Sequence, residues 1–141
     1  MLVSFRVASL DDFECCRRHD FPNIPEELIK QSFQNGWVYV VVDGDSIVGY
    51  ARLEYIWLTV PYIGLITLDD EYQRKGTGSA LIDRIAKDLS KQGHRALFTS
   101  TEDEGTPEFY QKCGFSQCGT ISEINETGND EIYFIRYLQK K

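Results

Sequence analysis

Residues 66–89 read ITLDDEYQRKGTGSALIDRIAKDL. A β-rich apolar run ends at Leu68, and a polar, charged loop follows. Beyond Gly76-Thr77-Gly78, the residues Leu81, Ile82, Ile85, Ala86 and Leu89 recur with helical spacing on one face. This predicts a helix over 77–92, with Gly93 as the residue after its end, where left-handed geometry costs glycine little. A helix start offers backbone N–H groups with no partner inside the helix, together with a partial positive charge. The glycines let the backbone approach a bulky anion, and Arg74 and Lys75 add two cations. The combination is an anion site, most naturally for a diphosphate. On the glycine pair alone, a helix that merely begins with glycines stays open as the plainer reading. A Walker A loop, GxxxxGK[ST], is absent. A dinucleotide fingerprint is disfavoured, because Leu81 stands where the third glycine belongs and several strands precede the site.

Working outward, residues 2–7 predict a short strand and residues 11–19 a helix with Ser9 as its N-cap. A break at residues 21–25 leads into a helix over 25–33, with Pro25 in its first turn and Asn35-Gly36 at its end. Residues 37–42 and 46–57 form a hairpin signal around Asp43-Gly44-Asp45, and 58–68 is a further strand with Pro61 near its start. After the central helix, 95–101 predicts a buried strand and 107–113 a short helix ended by Gly114. Residues 115–121 and 132–138 predict two last strands joined by a polar loop over 125–130. The expected fold is mixed α/β: one central, mostly antiparallel sheet of about seven strands with helices on both faces. The strand–helix–strand unit over 60–100 supplies a parallel pair. The expected organisation is a single domain over 1–141.

The chain has 141 residues, 42% hydrophobic and 26% charged, which is a globular composition. No run of 18 apolar residues and no secretory leader is readable, so a cytoplasmic protein with no membrane partner is expected. Cys15, Cys16, Cys113 and Cys118 lack paired spacing and are read as reduced thiols, with no metal site. His19 lies near two of them but completes no plausible ligand set. The net charge of −7 argues against nucleic acid as a partner. Residues 102–131 hold eight acidic residues and one basic residue, Lys112, so the excess charge sits there. That segment is either a solvated face or a surface for a cationic partner.

Three stretches resemble one family. Gln73-Arg74-Lys75-Gly76-Thr77-Gly78 resembles the Q/R-x-x-G-x-G/A acetyl-CoA loop of the GNAT superfamily of N-acetyltransferases. Pro107-Glu108-Phe109-Tyr110-Gln111-Lys112-Cys113-Gly114-Phe115 is similar to its FYEKLGF segment, and Ile47-Val48-Gly49-Tyr50 to its IVGY strand. They occur in the family's order over residues 3–138. The resemblance implies acetyl-CoA as co-substrate, with its diphosphate on the N–H groups of Arg74, Lys75, Gly76, Thr77, Gly78 and Ser79, and with Gln73 lining the loop. It implies a cleft where the strand ending at Leu68 splays from the next parallel strand. The N–H of Leu68 would there polarise the thioester carbonyl. It also implies Tyr110 as general acid, since a phenol of pKa near ~10 can protonate a leaving thiolate whose conjugate acid is near ~8.5. The plainer role for Tyr110 is a core aromatic beside Phe109.

Glu54 is the candidate general base, on a strand expected to border that cleft, against the alternative that it points into solvent. Asp69 and Glu71 are poorer candidates, and Tyr62 with a water chain is a further one. Asp103 stands where the family often has asparagine. The function implied is acetyl transfer to a primary amine, with a cationic acceptor drawn by the acidic segment. The alternatives are a non-catalytic acyl-CoA-binding module and a nucleotide-dependent enzyme. A homodimer paired through residues 132–138 is a further expectation.

Overall fold

The computed structural model describes residues 2–102 and 107–138. In chain order the strands are β1 (Ser4–Val7), β2 (Val38–Asp43), β3 (Ser46–Ile56), β4 (Val60–Leu68), β5 (Ala96–Glu102), β6 (Ser116–Ile121) and β7 (Glu131–Tyr137). The helices are α1 (Phe13–Cys16), α2 (Glu26–Gln34), α3 (Thr77–Lys91) and α4 (Pro107–Lys112). The strands form one seven-stranded mixed sheet in the order β1-β2-β3-β4-β5-β7-β6. β1 with β2, β2 with β3, β5 with β7 and β6 with β7 are antiparallel, and β4 with β5 is parallel. The chain forms two compact units, Met1–Glu54 with Gly64–Leu81, and Tyr55–Ile63 with Ile82–Lys141.

In the first unit, Phe13, Phe33, Val38, Val40 and Tyr50 form a buried core, with Leu65 packed against it. The helix expected over 11–19 is instead three short pieces: a 3₁₀ turn at Leu10–Asp12, α1, and a second 3₁₀ turn at Arg17–His19. At its start the Ser9 N–H donates to the Asp12 carboxylate at 2.9 Å, which Arg6 also grips at 2.8 and 2.9 Å. The core also holds His19, 9% exposed, whose ring stacks on Tyr50 at 6.0 Å between centroids and whose Nε2 has no partner.

Burial, helped by the neighbouring Arg18, holds the His19 imidazole below its ordinary pKa, against weaker opposing effects of Asp69 and the Ile47 carbonyl. The unfolded chain therefore binds a proton at a pH where the folded chain does not. The contribution of His19 to stability is constant above pH ~6.5 and falls below it, by up to about 1.4 kcal/mol per unit, until the depressed folded pKa is passed. Urea unfolding midpoints at pH 7.5 and 5.5 should differ clearly for the native chain and much less for His19→Phe.

In the second unit, Ile82, Ile85, Ala86 and Leu89 of α3 are buried, as are Leu97 of β5 and Phe134 of β7. α3 runs from Thr77 to Lys91, and Gly93 follows at φ +93°. β7 lies between β5 and β6. Both its edges are already paired, so residues 132–138 are not available to a strand-pairing dimer; the sheet edges are β1 and β6. Sequence alone places 132–138 last and apolar, and cannot show that β6 folds outside it.

The turn between β3 and β4 is made by Trp57 (φ +56°) and Leu58 (φ +63°), with the Thr59 N–H donating to the Ile56 carbonyl at 3.1 Å. Two consecutive left-handed residues suit Asn-Gly, and each bulky residue there costs roughly 1–2 kcal/mol. Both side chains are exposed, so no packing offsets that cost. Trp57→Asn combined with Leu58→Gly is expected to raise the unfolding free energy by about 1–2 kcal/mol, read from a denaturant titration.

Candidate functional site

The loop after β4 is built by backbone strain and by anchors at its root. Asp70–Tyr72 forms a 3₁₀ turn, Arg74 sits at φ +61° and Gly76 at φ +80°. The Asp69 N–H donates to the Val48 carbonyl at 2.8 Å, and Arg18 grips the Asp69 carboxylate with two bonds of 3.0 Å. The Tyr72 hydroxyl donates to Asp43 in the β2–β3 turn at 2.5 Å, and this bond is the chief reason its phenol is pushed up to about 12. Gln73 Nε2 donates back to the Leu68 carbonyl at 2.9 Å, which closes the loop on the end of β4. Gln73, Arg74, Lys75 and Gly76 are exposed, Thr77 and Ser79 half-buried, and Gly78 buried.

The first N–H bonded in the helical pattern is that of Ala80, to the Gly76 carbonyl at 3.0 Å. Helix geometry leaves the N–H groups of Thr77, Gly78 and Ser79 without an intrahelical partner. A Cβ placed on Gly76 would meet nothing within 4 Å, so the turn is open where an anion would approach. Glycine is needed there for its φ rather than for close packing. These residues fit a diphosphate: backbone donors, a helix start and two exposed cations.

Glu54, on β3, has its side chain 54% exposed and accepts from Arg52 Nη1 at 2.9 Å. It lies over Gly64, where any Cβ would clash with its carboxylate. Glu54 therefore faces solvent, as the plainer reading has it, and is also held by a fixed cation. Arg52 is itself buried. Its Nε donates to Asp20 Oδ2 at 2.7 Å, and Tyr50 donates to the same oxygen at 2.6 Å. Burial first, then Asp20, hold the Tyr50 phenol far above its ordinary pKa.

In the second unit, Tyr110 is 6% exposed. Its ring meets Phe109 at 5.3 Å, and Phe115 and Phe134 at 5.7 Å each. It is thus a packed core aromatic, as the plainer reading expects, and its hydroxyl bonds to Thr99. Burial pushes its phenol up, and the Thr99 bond only partly offsets this, so Tyr110 carries its proton at neutral pH. Gly114 follows α4 at φ +88°. Within this unit the parallel pairing of β4 with β5 sets Tyr62 opposite Phe98 and Ile63 opposite Thr99. Asp103, in the asparagine position, and its neighbour Glu104 lie outside the described residues.

Two arrangements escape a reading by sequence. The Asp20–Arg52–Glu54 chain joins residues more than thirty positions apart. The Tyr62–Ser100–Glu131 contacts join three strands. Neither has a local motif; the available signal was an arginine, two residues before a glutamate, inside a largely apolar strand. Among the described residues no group of His, Cys, Asp or Glu is arranged to hold a metal ion, and no helix is long and apolar enough to cross a membrane.

Residues 6–115 match the model of the Acetyltransferase (GNAT) family. An uncharacterized N-acetyltransferase of Methanocaldococcus jannaschii is 28% identical over 60% of this chain and 40% of its own length. The uncharacterized N-acetyltransferase YitH of Bacillus subtilis is 29% identical over 78% of this chain and 38% of its own. The match thus spans about two fifths of each of these relatives. Among solved structures, Ard1 from Thermoplasma volcanium superposes with a TM-score of 0.84 at 19% identity, covering 99% of this chain and 100% of that one. A chain of the NatC complex bound to Gag peptide and CoA superposes with a TM-score of 0.83 at 14% identity, covering 99% and 100%. At these identities the superpositions speak for the fold.

Proposed function

Because the chain belongs to the GNAT acetyltransferase family, we propose that it transfers an acetyl group from acetyl-CoA to a primary amine, by direct attack of the amine on the thioester. The observation that carries this reading is the open, left-handed turn at Gly76, with the N–H groups of Thr77, Gly78 and Ser79 at the start of α3. That turn is what a diphosphate needs, and the family's co-substrate carries one. Acetyl-CoA supplies the activated acetyl group. The loop residues Gln73 to Ser79 hold its diphosphate, and Arg74 and Lys75 balance the charge. The N–H of Leu68 serves the thioester carbonyl as an oxyanion donor. Tyr110, protonated at neutral pH, gives its proton to the departing thiolate. Glu54, ion-paired and exposed, is suited to receive a cationic acceptor.

The acidic residues Glu102, Glu123, Glu126, Asp130 and Glu131 point to the same class of acceptor. Titration calorimetry with acetyl-CoA, followed by thiol detection of released CoA against polyamines, amino sugars, amino acids and short peptides with free N-termini, tests the proposal. Absence of acetyl-CoA binding at high micromolar concentration overturns it. Binding without turnover across the panel would turn the reading to an acyl-CoA-binding module.

A further inference from the structure

The acetyl-transfer reading leaves one proton without a destination. A nitrogen that becomes acylated must lose one; neither the loop nor Tyr110 takes it, and the carboxylate of Glu54, the candidate base of the sequence reading, is already engaged by Arg52. The second unit holds a hydrogen-bonded line suited to that task. The Tyr62 hydroxyl, on β4, lies 2.5 Å from Ser100 Oγ, on β5, and Ser100 Oγ lies 2.7 Å from Glu131 Oε2, at the start of β7. The direction of these bonds follows from proton counting. A carboxylate only accepts, so Ser100 gives its single proton to Glu131. Tyr62 must therefore donate to Ser100, which leaves the phenol oxygen as the acceptor toward an incoming N–H.

The place of this line in the sheet is equally telling. Thr99 and Ser100 are consecutive on β5, so their side chains point to opposite faces. Thr99 is 1% exposed and bonds to Tyr110, whereas Ser100, Tyr62 and Glu131 are only half-buried. One face of β5 thus carries the protonated phenol and the other a line of proton acceptors. Tyr62 sits opposite Phe98 in the parallel pairing of β4 with β5. Tyr133, opposite Ser100 in register, walls the line with its ring 6.3 Å from that of Tyr62. Glu102 lies opposite Glu131 in register, a like-charge pair that would be unfavourable alone. The loop before β7 serves both: Asn125 donates to Glu131 at 3.5 Å, and Asn129 donates to Glu102 at 3.3 Å.

We infer that Tyr62, Ser100 and Glu131 form the relay that accepts the proton of the acceptor nitrogen during acetyl transfer. As the C–N bond forms, the nitrogen becomes strongly acidic. Its proton passes to Tyr62 Oη, that of Tyr62 to Ser100 Oγ, and that of Ser100 to Glu131. The C–S bond then breaks with its electron pair on sulfur, which takes the Tyr110 proton. Glu131 returns a proton to solvent and Tyr110 regains one, so the cycle balances. Tyr62 is the catalytic residue here; Ser100 and Glu131 act through it as positioning residues.

The inference rests on the acetyl-transfer reading, and its test separates the two. Acetyl-CoA binding is measured by calorimetry for the native chain, Tyr62→Phe, Ser100→Ala, Ser100→Thr and Glu131→Gln. Turnover is then measured with the fastest amine of the panel above, in mixtures of light and heavy water. The expected result is unchanged acetyl-CoA affinity throughout, with kcat lowered about 100-fold in Tyr62→Phe, Ser100→Ala and Glu131→Gln and largely kept in Ser100→Thr. The native rate should fall along a curve as the deuterium fraction rises, the mark of several protons in flight, and the curvature should vanish in Ser100→Ala. Turnover within twofold of native in Ser100→Ala and Glu131→Gln overturns the relay while leaving acetyl transfer standing. Equal losses in Ser100→Thr and Ser100→Ala mark a packing role and also overturn it. No turnover of any panel amine, with or without acetyl-CoA binding by the native chain, overturns the acetyl-transfer reading and the relay with it.

Discussion

Arg52→Met is expected to lower the unfolding free energy by about 3–5 kcal/mol, the largest single loss anticipated for this chain. The side chains of Arg52 and Asp20 are 5% and 4% exposed, and their ion pair is 2.7 Å long. Removing the guanidinium leaves Asp20 buried with two neutral donors, the Tyr50 hydroxyl at 2.6 Å and the Phe21 N–H at 2.7 Å, and no cation. Two neutral donors do not offset the desolvation of a carboxylate. The measurement is a urea titration at pH 7.5, followed by fluorescence. A triple variant, Tyr50→Phe, Asp20→Leu and Arg52→Met, removes the polar set together and should recover much of the loss, because no charge is then left unpaired. A midpoint for Arg52→Met within error of native would show that the pair contributes nothing.

Tyr110→Phe is expected to reduce kcat for acetyl transfer about 100-fold while leaving acetyl-CoA affinity close to native. The ring contacts with Phe109, Phe115 and Phe134 survive the change, so the fold should lose only about 1 kcal/mol, the worth of one buried hydrogen bond. Turnover and unfolding thus separate the two roles that Tyr110 can play. An unchanged rate would leave it a core aromatic alone. A rate loss matched by an equally large loss of stability would point to packing as the cause. The buried, proton-bearing phenol favours the catalytic outcome, since an acid that stays protonated at neutral pH is ready when the thiolate departs.

Much of this molecule is legible along the chain because its signals are local. The helical repeat from Leu81 to Leu89 needs no tertiary information, and the glycines at 36, 44, 76, 93 and 114, all at positive φ, end or turn the elements where a reader expects them. The Gly76 loop is also a local device, since backbone donors at a helix start follow from the order strand, loop, helix. The one helix misread as continuous, over 11–19, breaks into 3₁₀ turns that no periodicity distinguishes.

What the chain alone determined, then, was the order of elements and the glycine turn at the head of α3, because both depend on interactions a few residues long. Tertiary structure decided everything that joins distant strands. The position of β7 inside the sheet, the buried Asp20–Arg52 pair holding Glu54, and the Tyr62–Ser100–Glu131 line depend on strand order and register. Register assigns each side chain to a face, and a shift of one residue would have sent Ser100 to the buried side in place of Thr99.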